Sequence, residues 1–180
     1  MNAPDLVVIE PEQPADADAV RDVVSRAFAE QQVVPDLVEA VRASPQYVPE
    51  LALVARVGAT VAGFVLLSHA EVVAGDGRHD VLTLSPLAVA PEFQGRGIGS
   101  ALVRAGIAAA DAIGAGLITL EGSPTYYGRL GFTYAAQSGV TIDLPGWAPQ
   151  EAAQVYRLRA YDSSVHGRLV YPPAFDVLHE

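Results

Sequence analysis

The apolar positions of this chain change their period several times, and each change marks an element. "LVVIE" (Leu6–Glu10) is a short β-type run; Val20, Val23, Val24, Ala27 and Phe28 then recur at the spacing of one helix face, with Asp16 or Asp18 as a cap. Pro35 opens a second short helix to about Arg42, which "SPQYVPE" ends. "LALVARV" (Leu51–Val57) and "VAGFVLLSH" (Val61–His69) flank the turn "GAT" and predict two antiparallel strands. The second is apolar on both faces and therefore central. "AGDGRHD" predicts a polar turn before the strand "VLTLSPLAV" (Val81–Val89). Pro86 interrupts that strand, and proline, with no N–H for a ladder, sits in strands only at edges or bulges.

From Gly97 to about Ile113 the pattern returns to helix, with small residues on one side and Gly114 as the stop. "GLITLE" (Gly116–Glu121) reads as a buried strand, "SPTYYGRL" as a short helical turn, and "FTYA" and "VYRLRAY" (Val155–Tyr161) as further strands. Residues 162–180 read as an irregular tail packing through Leu169, Tyr171 and Phe175. This order predicts an α/β domain with a mixed, mostly antiparallel sheet flanked by helices and one strand–helix–strand crossover.

The composition narrows the functions available. A chain of 180 residues, 51% hydrophobic and 18% charged, fits one compact domain. No apolar run approaches the ~18 residues of a membrane span, and Met1–Glu10 lacks the pattern of a signal peptide, so a cytoplasmic protein with no membrane partner is expected. Without cysteine there is no thiolate nucleophile, so group transfer would proceed without an enzyme thioester. The net charge of −10, with no basic run, argues against a nucleic-acid partner. An anionic ligand would have to be held by local geometry, such as backbone amides at a helix end.

"PEFQGRGIGSAL" (Pro91–Leu102) supplies that geometry. Gly95, Gly97 and Gly99 let successive N–H groups turn inward at the start of the following helix, and Arg96 adds a charge. A P-loop is excluded because Ser100 and Ala101, not Lys and Ser/Thr, follow the last glycine. A dinucleotide fingerprint is excluded because its third glycine would fall on Ser100 or Leu102.

"LSPLAVAPEFQGRGIGSALV" resembles the acyl-CoA-binding motif of the GNAT N-acetyltransferase superfamily, with Gln94, Gly97 and Gly99 at the motif positions. "SPTYYGRLGF" (Ser123–Phe132) is similar to the family's Y-x-x-x-G-F segment, and its "YY-x-R-x-GF" form resembles a subgroup of small GNAT proteins. The resemblance implies that amides across Gly95, Arg96, Gly97, Ile98, Gly99 and Ser100 hold the coenzyme A pyrophosphate, and that Leu87, Ala88 and Val89 line the pantetheine arm. It gives Pro86 a role, parting that strand from its parallel neighbour Gly116–Glu121. It implies acetyl-CoA as co-substrate, no metal, and direct transfer to a primary amine of a small molecule or protein. A rival from another class is a non-catalytic acyl-CoA-binding or sensing domain.

In the family register Tyr127 is the general acid for the leaving thiolate, with Tyr126 beside it as a packing residue, and Leu87 N–H faces the thioester oxygen. The base stays open: the strand before the loop carries Thr83 and Ser85 where many relatives place a carboxylate, leaving Glu71, Glu121 or a water chain. The histidines, His69, His79, His166 and His179, share no metal-ligand spacing. Variable acceptor segments are expected at Val34–Pro49 and after Gly139, in a monomer or homodimer.

Overall fold

The computed structural model describes residues 6–180, and its strands join in one nine-stranded sheet. They are β1 (Val7–Pro11), β2 (Ala52–Val57), β3 (Thr60–Ala74), β4 (Gly77–Val89), β5 (Leu117–Glu121), β6 (Thr133–Tyr134), β7 (Val140–Thr141), β8 (Ala153–Arg157) and β9 (Gly167–Val170). Along the sheet the order is β1-β2-β3-β4-β5-β8-β6, with β9 pairing both β3 and β7. All pairings are antiparallel except β4 with β5 and β7 with β9. Four helices flank it: α1 (Ala17–Ala27), α2 (Val34–Arg42), α3 (Ile98–Ala112) and α4 (Pro124–Gly128). The α/β fold with a mostly antiparallel mixed sheet is therefore the one expected.

Alternation on the central strand distributes the core. Phe64 and Leu66 of β3 face α1 and α2, where they pack with Val20, Val24, Leu37 and Val41. Val65 and Leu67 point the other way, packing with Leu82, Leu84, Ile118 and Leu120 under Leu102 and Val103 of α3. Gly63 lets α3 close on the sheet, because a Cβ there would lie 2.9 Å from Leu102 Cδ1 and 3.1 Å from the Ala88 carbonyl. Gly63→Val therefore lowers stability by about 1–3 kcal/mol through overpacking, read as a lower denaturation midpoint.

Two expectations are corrected. "AGDGRHD" is not a broad turn: Arg78, His79 and Asp80 already pair with Val73, Val72 and Glu71, and only Gly75 and Asp76 separate the strands. An ion pair between Glu71 and Arg78 and a hydrogen bond between His69 and Asp80 link the two strands and let a polar sequence continue as strand. The tail is not irregular either. Leu169 of β9 pairs with Val72, Gly167 with Val140, and Pro173–His179 forms a 3-10 helix that lays Phe175 against the α1 and α2 core. The four residues of β9 are too few to show a period, and their partners lie far away in sequence.

Near β1, Asp16 accepts hydrogen bonds from Gln13 N–H (2.8 Å) and Arg56 (2.7 Å). Burial pushes its pKa up, but the Arg56 and Gln13 bonds and the Arg56 charge outweigh it, leaving the carboxyl below its usual 3.8. The stability this adds is present above the unfolded value and is lost as pH falls through the lowered one. Asp16→Asn should flatten that part of the acid-unfolding curve.

The parallel pair in mid-sheet opens early. β4 and β5 pair only at Leu82 with Ile118 and Thr83 with Thr119. Across from β3, Val65 meets Leu87 and Leu67 meets Leu84, so Ser85 and Pro86 both stand opposite Leu66. This bulge turns the end of β4 away from β5 at the position expected from Pro86.

Candidate active site

β4 leads through the 3-10 turn Pro91–Phe93 into the glycine loop and α3. Gln94 fastens the loop to the strand by donating from Nε2 to the Val89 carbonyl (3.1 Å). Gly95 (φ 75°) and Gly97 (φ 79°) take the left-handed conformation, and Gly97 caps α3. Gly99 is needed for a different reason: a Cβ there would stand 2.7 Å from the Tyr126 hydroxyl. Among the described residues, the first main-chain N–H after Gln94 to reach a main-chain carbonyl is that of Ala101, bonded to Gly97 O (3.0 Å). The donors from Gly95 to Ser100 thus have no main-chain carbonyl partner among the described residues and stand at the positive end of a 15-residue helix, an arrangement that can hold an anion.

This loop forms one wall of a cavity of about 510 Å³ between the end of α1, β4, the start of α3 and α4. Of the residues expected from sequence, Leu87, Val89, Gln94, Gly95, Gly97, Ile98, Gly99 and Ser100 line it. Ala88 does not, because alternation turns its side chain into the α1 core. Arg96 stands off the wall with its guanidinium 5.3 Å from the Phe93 ring centroid. Ala27, Phe28 and Phe93 complete the lining and were not singled out from the sequence. Phe28 follows the apolar stripe of α1 and reads there as core, but it is the residue after the last helical turn, where the chain leaves the helix over the cavity.

The two tyrosines of α4 face different surroundings. Tyr126, not Tyr127, lines the cavity, and its hydroxyl lies 3.4 Å from Ser100 Oγ. Ser123 caps this short helix by accepting from Tyr126 N–H (3.2 Å). The Tyr127 ring turns inward, edge-on to Tyr126 (centroids 4.9 Å apart) and to Phe132 (5.6 Å). It passes over Gly122, where a Cβ would come 2.5 Å from Tyr127 Cε2. Burial, with a smaller contribution from Tyr126, pushes the Tyr127 phenol up to about 12, so it keeps its proton throughout the neutral range.

The cations are distributed unevenly. All 11 basic residues are arginines, and Arg21, Arg26, Arg42, Arg56, Arg78, Arg159 and Arg168 each form an ion pair. Among the described residues, Arg96, Arg104 and Arg129 form none with a carboxylate and make no side-chain hydrogen bond. They lie in the loop, along α3 and at the end of α4, the elements around the exposed amides. In a protein of net charge −10, these are arginines whose charge no carboxylate among the described residues offsets. Among the described residues no group of three or more His, Cys, Asp or Glu is placed to hold a metal ion. No helix among them is long and apolar enough to cross a membrane.

The model of the Acetyltransferase (GNAT) family matches residues 18–132. Over 118 residues the chain is 35% identical to the uncharacterized N-acetyltransferase YjhQ of Escherichia coli K12, a match covering 66% of this chain and 65% of that one. With the uncharacterized N-acetyltransferase YhbS of the same strain it shares 31% identity over 107 residues, 59% of this chain and 60% of YhbS. These matched stretches fall short of two thirds of either relative's length. Among solved structures, Escherichia coli YhbS in complex with CoA superimposes with a TM-score of 0.86 at 27% identity, covering 98% of this chain and 95% of that one. A GNAT family acetyltransferase from Brucella melitensis in complex with acetyl-CoA gives 0.76 at 28% identity, covering 96% and 100%.

Proposed function

Since the chain belongs to the Acetyltransferase (GNAT) family, we propose that it binds acetyl-CoA in the cavity beside α3 and transfers the acetyl group directly to a primary amine of a small molecule or protein. The observation that carries this reading is the run of main-chain donors from Gly95 to Ser100 with no carbonyl partner among the described residues, at the N-terminus of α3. The complexes of the two structural relatives with CoA and acetyl-CoA agree with it.

In this reading the loop amides hold the pyrophosphate, and Arg96, Arg104 and Arg129 offset the remaining phosphate charge. The parted edges of β4 and β5 offer backbone groups to the pantetheine amides. Leu87 N–H receives the thioester oxygen as charge develops on it. Tyr127 is the acid for the departing thiolate: its phenol stays protonated, and no hydrogen bond ties its hydroxyl to another described residue. Tyr126 shapes the coenzyme wall. With no cysteine in the chain, the amine attacks acetyl-CoA itself.

The test is a calorimetric titration with acetyl-CoA followed by thiol release with ethanolamine, tyramine and a short peptide bearing a free α-amine. Saturable one-to-one binding and amine-dependent thiol release are the expected results. The chain has neither cysteine nor lysine, so neither protein thiols nor acetylation of its own side-chain amines disturbs the readout. Folded protein that binds no acetyl-CoA would return the glycine loop to a packing turn.

A further inference from the structure

The C-terminal segment reaches the point where β4 and β5 part. Tyr171, directly after β9, donates its phenol to Glu121 Oε2 at 2.6 Å. Glu121 is the last residue of β5, two residues beyond the Thr83–Thr119 pair, and a parallel register carried forward places it level with Ser85, beside the Pro86 bulge. It shares a face with Leu117 and Thr119, opposite the face that α3 covers, because Ile118 and Leu120 are the β5 residues packed under α3. The next residue is Gly122, over which the Tyr127 ring lies.

Tyr171 is firmly held. Its ring stacks on Phe175 (centroids 5.0 Å, interplanar angle 26°) and packs against both the α1–α2 core and the β7–β8–β9 core. Burial first, and then the Glu121 charge, raise its pKa well above the ordinary phenol value, so it stays a donor. Glu121 itself is exposed, and its bond to Tyr171 uses one carboxylate oxygen. The charged groups around Tyr171 are Glu121 on β5, Asp143, which pairs with Arg168 of β9, and, across a second cavity that Tyr171 lines, His69 and Glu71 of β3 with Arg78 and Asp80 of β4. No cation opposes Glu121 directly in an ion pair among the described residues.

We propose that Glu121 is the proton acceptor for the incoming ammonium, and that Tyr171, a positioning residue from the C-terminal segment, orients it. This rests on the acetyl-transfer reading above. An acceptor arrives as R–NH₃⁺, drawn by the carboxylate, and gives one proton to Glu121. The freed nitrogen lone pair forms the bond to the thioester carbonyl carbon, the C–S bond breaks, and the thiolate takes the Tyr127 proton. The second nitrogen proton leaves to water, as does the one on Glu121, while Tyr127 regains one; the net products are the amide, free thiol and one proton. The acceptor class is accordingly a cationic primary amine.

The test compares wild type, Glu121→Gln and Tyr171→Phe with the three amines named above and with hydroxylamine, which is already neutral at neutral pH and needs no base. Glu121→Gln should lose roughly 10²-fold or more of kcat/KM for the protonated amines, as for removal of a general base, while acetyl-CoA affinity and the hydroxylamine rate stay within a few-fold of wild type. Tyr171→Phe removes the bond that orients the carboxylate, so kcat for the protonated amines should fall several-fold while the hydroxylamine rate and acetyl-CoA affinity stay at wild-type levels, and added to Glu121→Gln it should cause no further loss. A merely structural role would depress hydroxylamine and amine rates together and make the losses of the two variants add, and either result overturns the proposal. A wild type that binds no acetyl-CoA or releases no thiol with any amine overturns the acetyl-transfer reading instead, a result distinct from full wild-type activity with unaffected variants.

Discussion

Gly97→Glu loses acetyl-CoA binding by roughly three orders of magnitude, while Gly97→Ala keeps it within about tenfold. Both substitutions put a side chain on a residue with φ 79°, and each costs the fold roughly 1–2 kcal/mol. They share that cost because the Cβ that both add meets no atom within 4 Å. Their difference is charge. A carboxylate about 4 Å from a phosphate charge is opposed by about 4 kcal/mol at an effective dielectric of 20, which is about a thousandfold in affinity. Calorimetry on the two variants, with thermal midpoints to show that both remain folded, separates strain from repulsion. Equal affinities would mean that the pyrophosphate does not sit on this loop.

Tyr127→Phe lowers kcat by roughly 10²- to 10⁴-fold and leaves the dissociation constant for acetyl-CoA unchanged. Tyr126→Phe does the opposite, weakening coenzyme binding modestly with little change in kcat. The reasoning lies in their positions: Tyr126 touches the loop through Ser100 and lines the cavity, whereas Tyr127 lies over Gly122, next to the strand end where the acceptor would arrive. With its phenol at about 12, Tyr127 keeps its acid form as pH rises to 10, so wild-type activity should show no alkaline fall from this group below that point. If the two variants exchange phenotypes, the acid is Tyr126, and the family register misplaces it by one residue.

Gly95, Gly97 and the helix after them could be read directly from the sequence, because the chemistry of an anion-binding loop is local: a few φ values and the amides of one helical turn. Pro86 likewise announced the bulge in β4, since a residue without an N–H interrupts a ladder wherever the chain folds. The length of the β3–β4 hairpin was hidden by its polar tip, where polar side chains of opposite strands meet. Which tyrosine lines the cavity was hidden too, because neighbouring positions on a five-residue helix differ only in what each ring meets: Gly99 and Ser100 for one, Gly122 and Phe132 for the other.

What the sequence determined by itself was the glycine loop and the helix that follows it, and through its resemblance to a family the coenzyme expected there, since glycine spacing and helix periodicity act over a dozen residues. The tertiary structure decided where Glu121 meets Tyr171, 50 residues away, and how Phe28 closes the cavity from α1. Such contacts depend on strand order and register, and a single carboxylate at a strand end carries no mark of the phenol that the far end of the chain will bring to it.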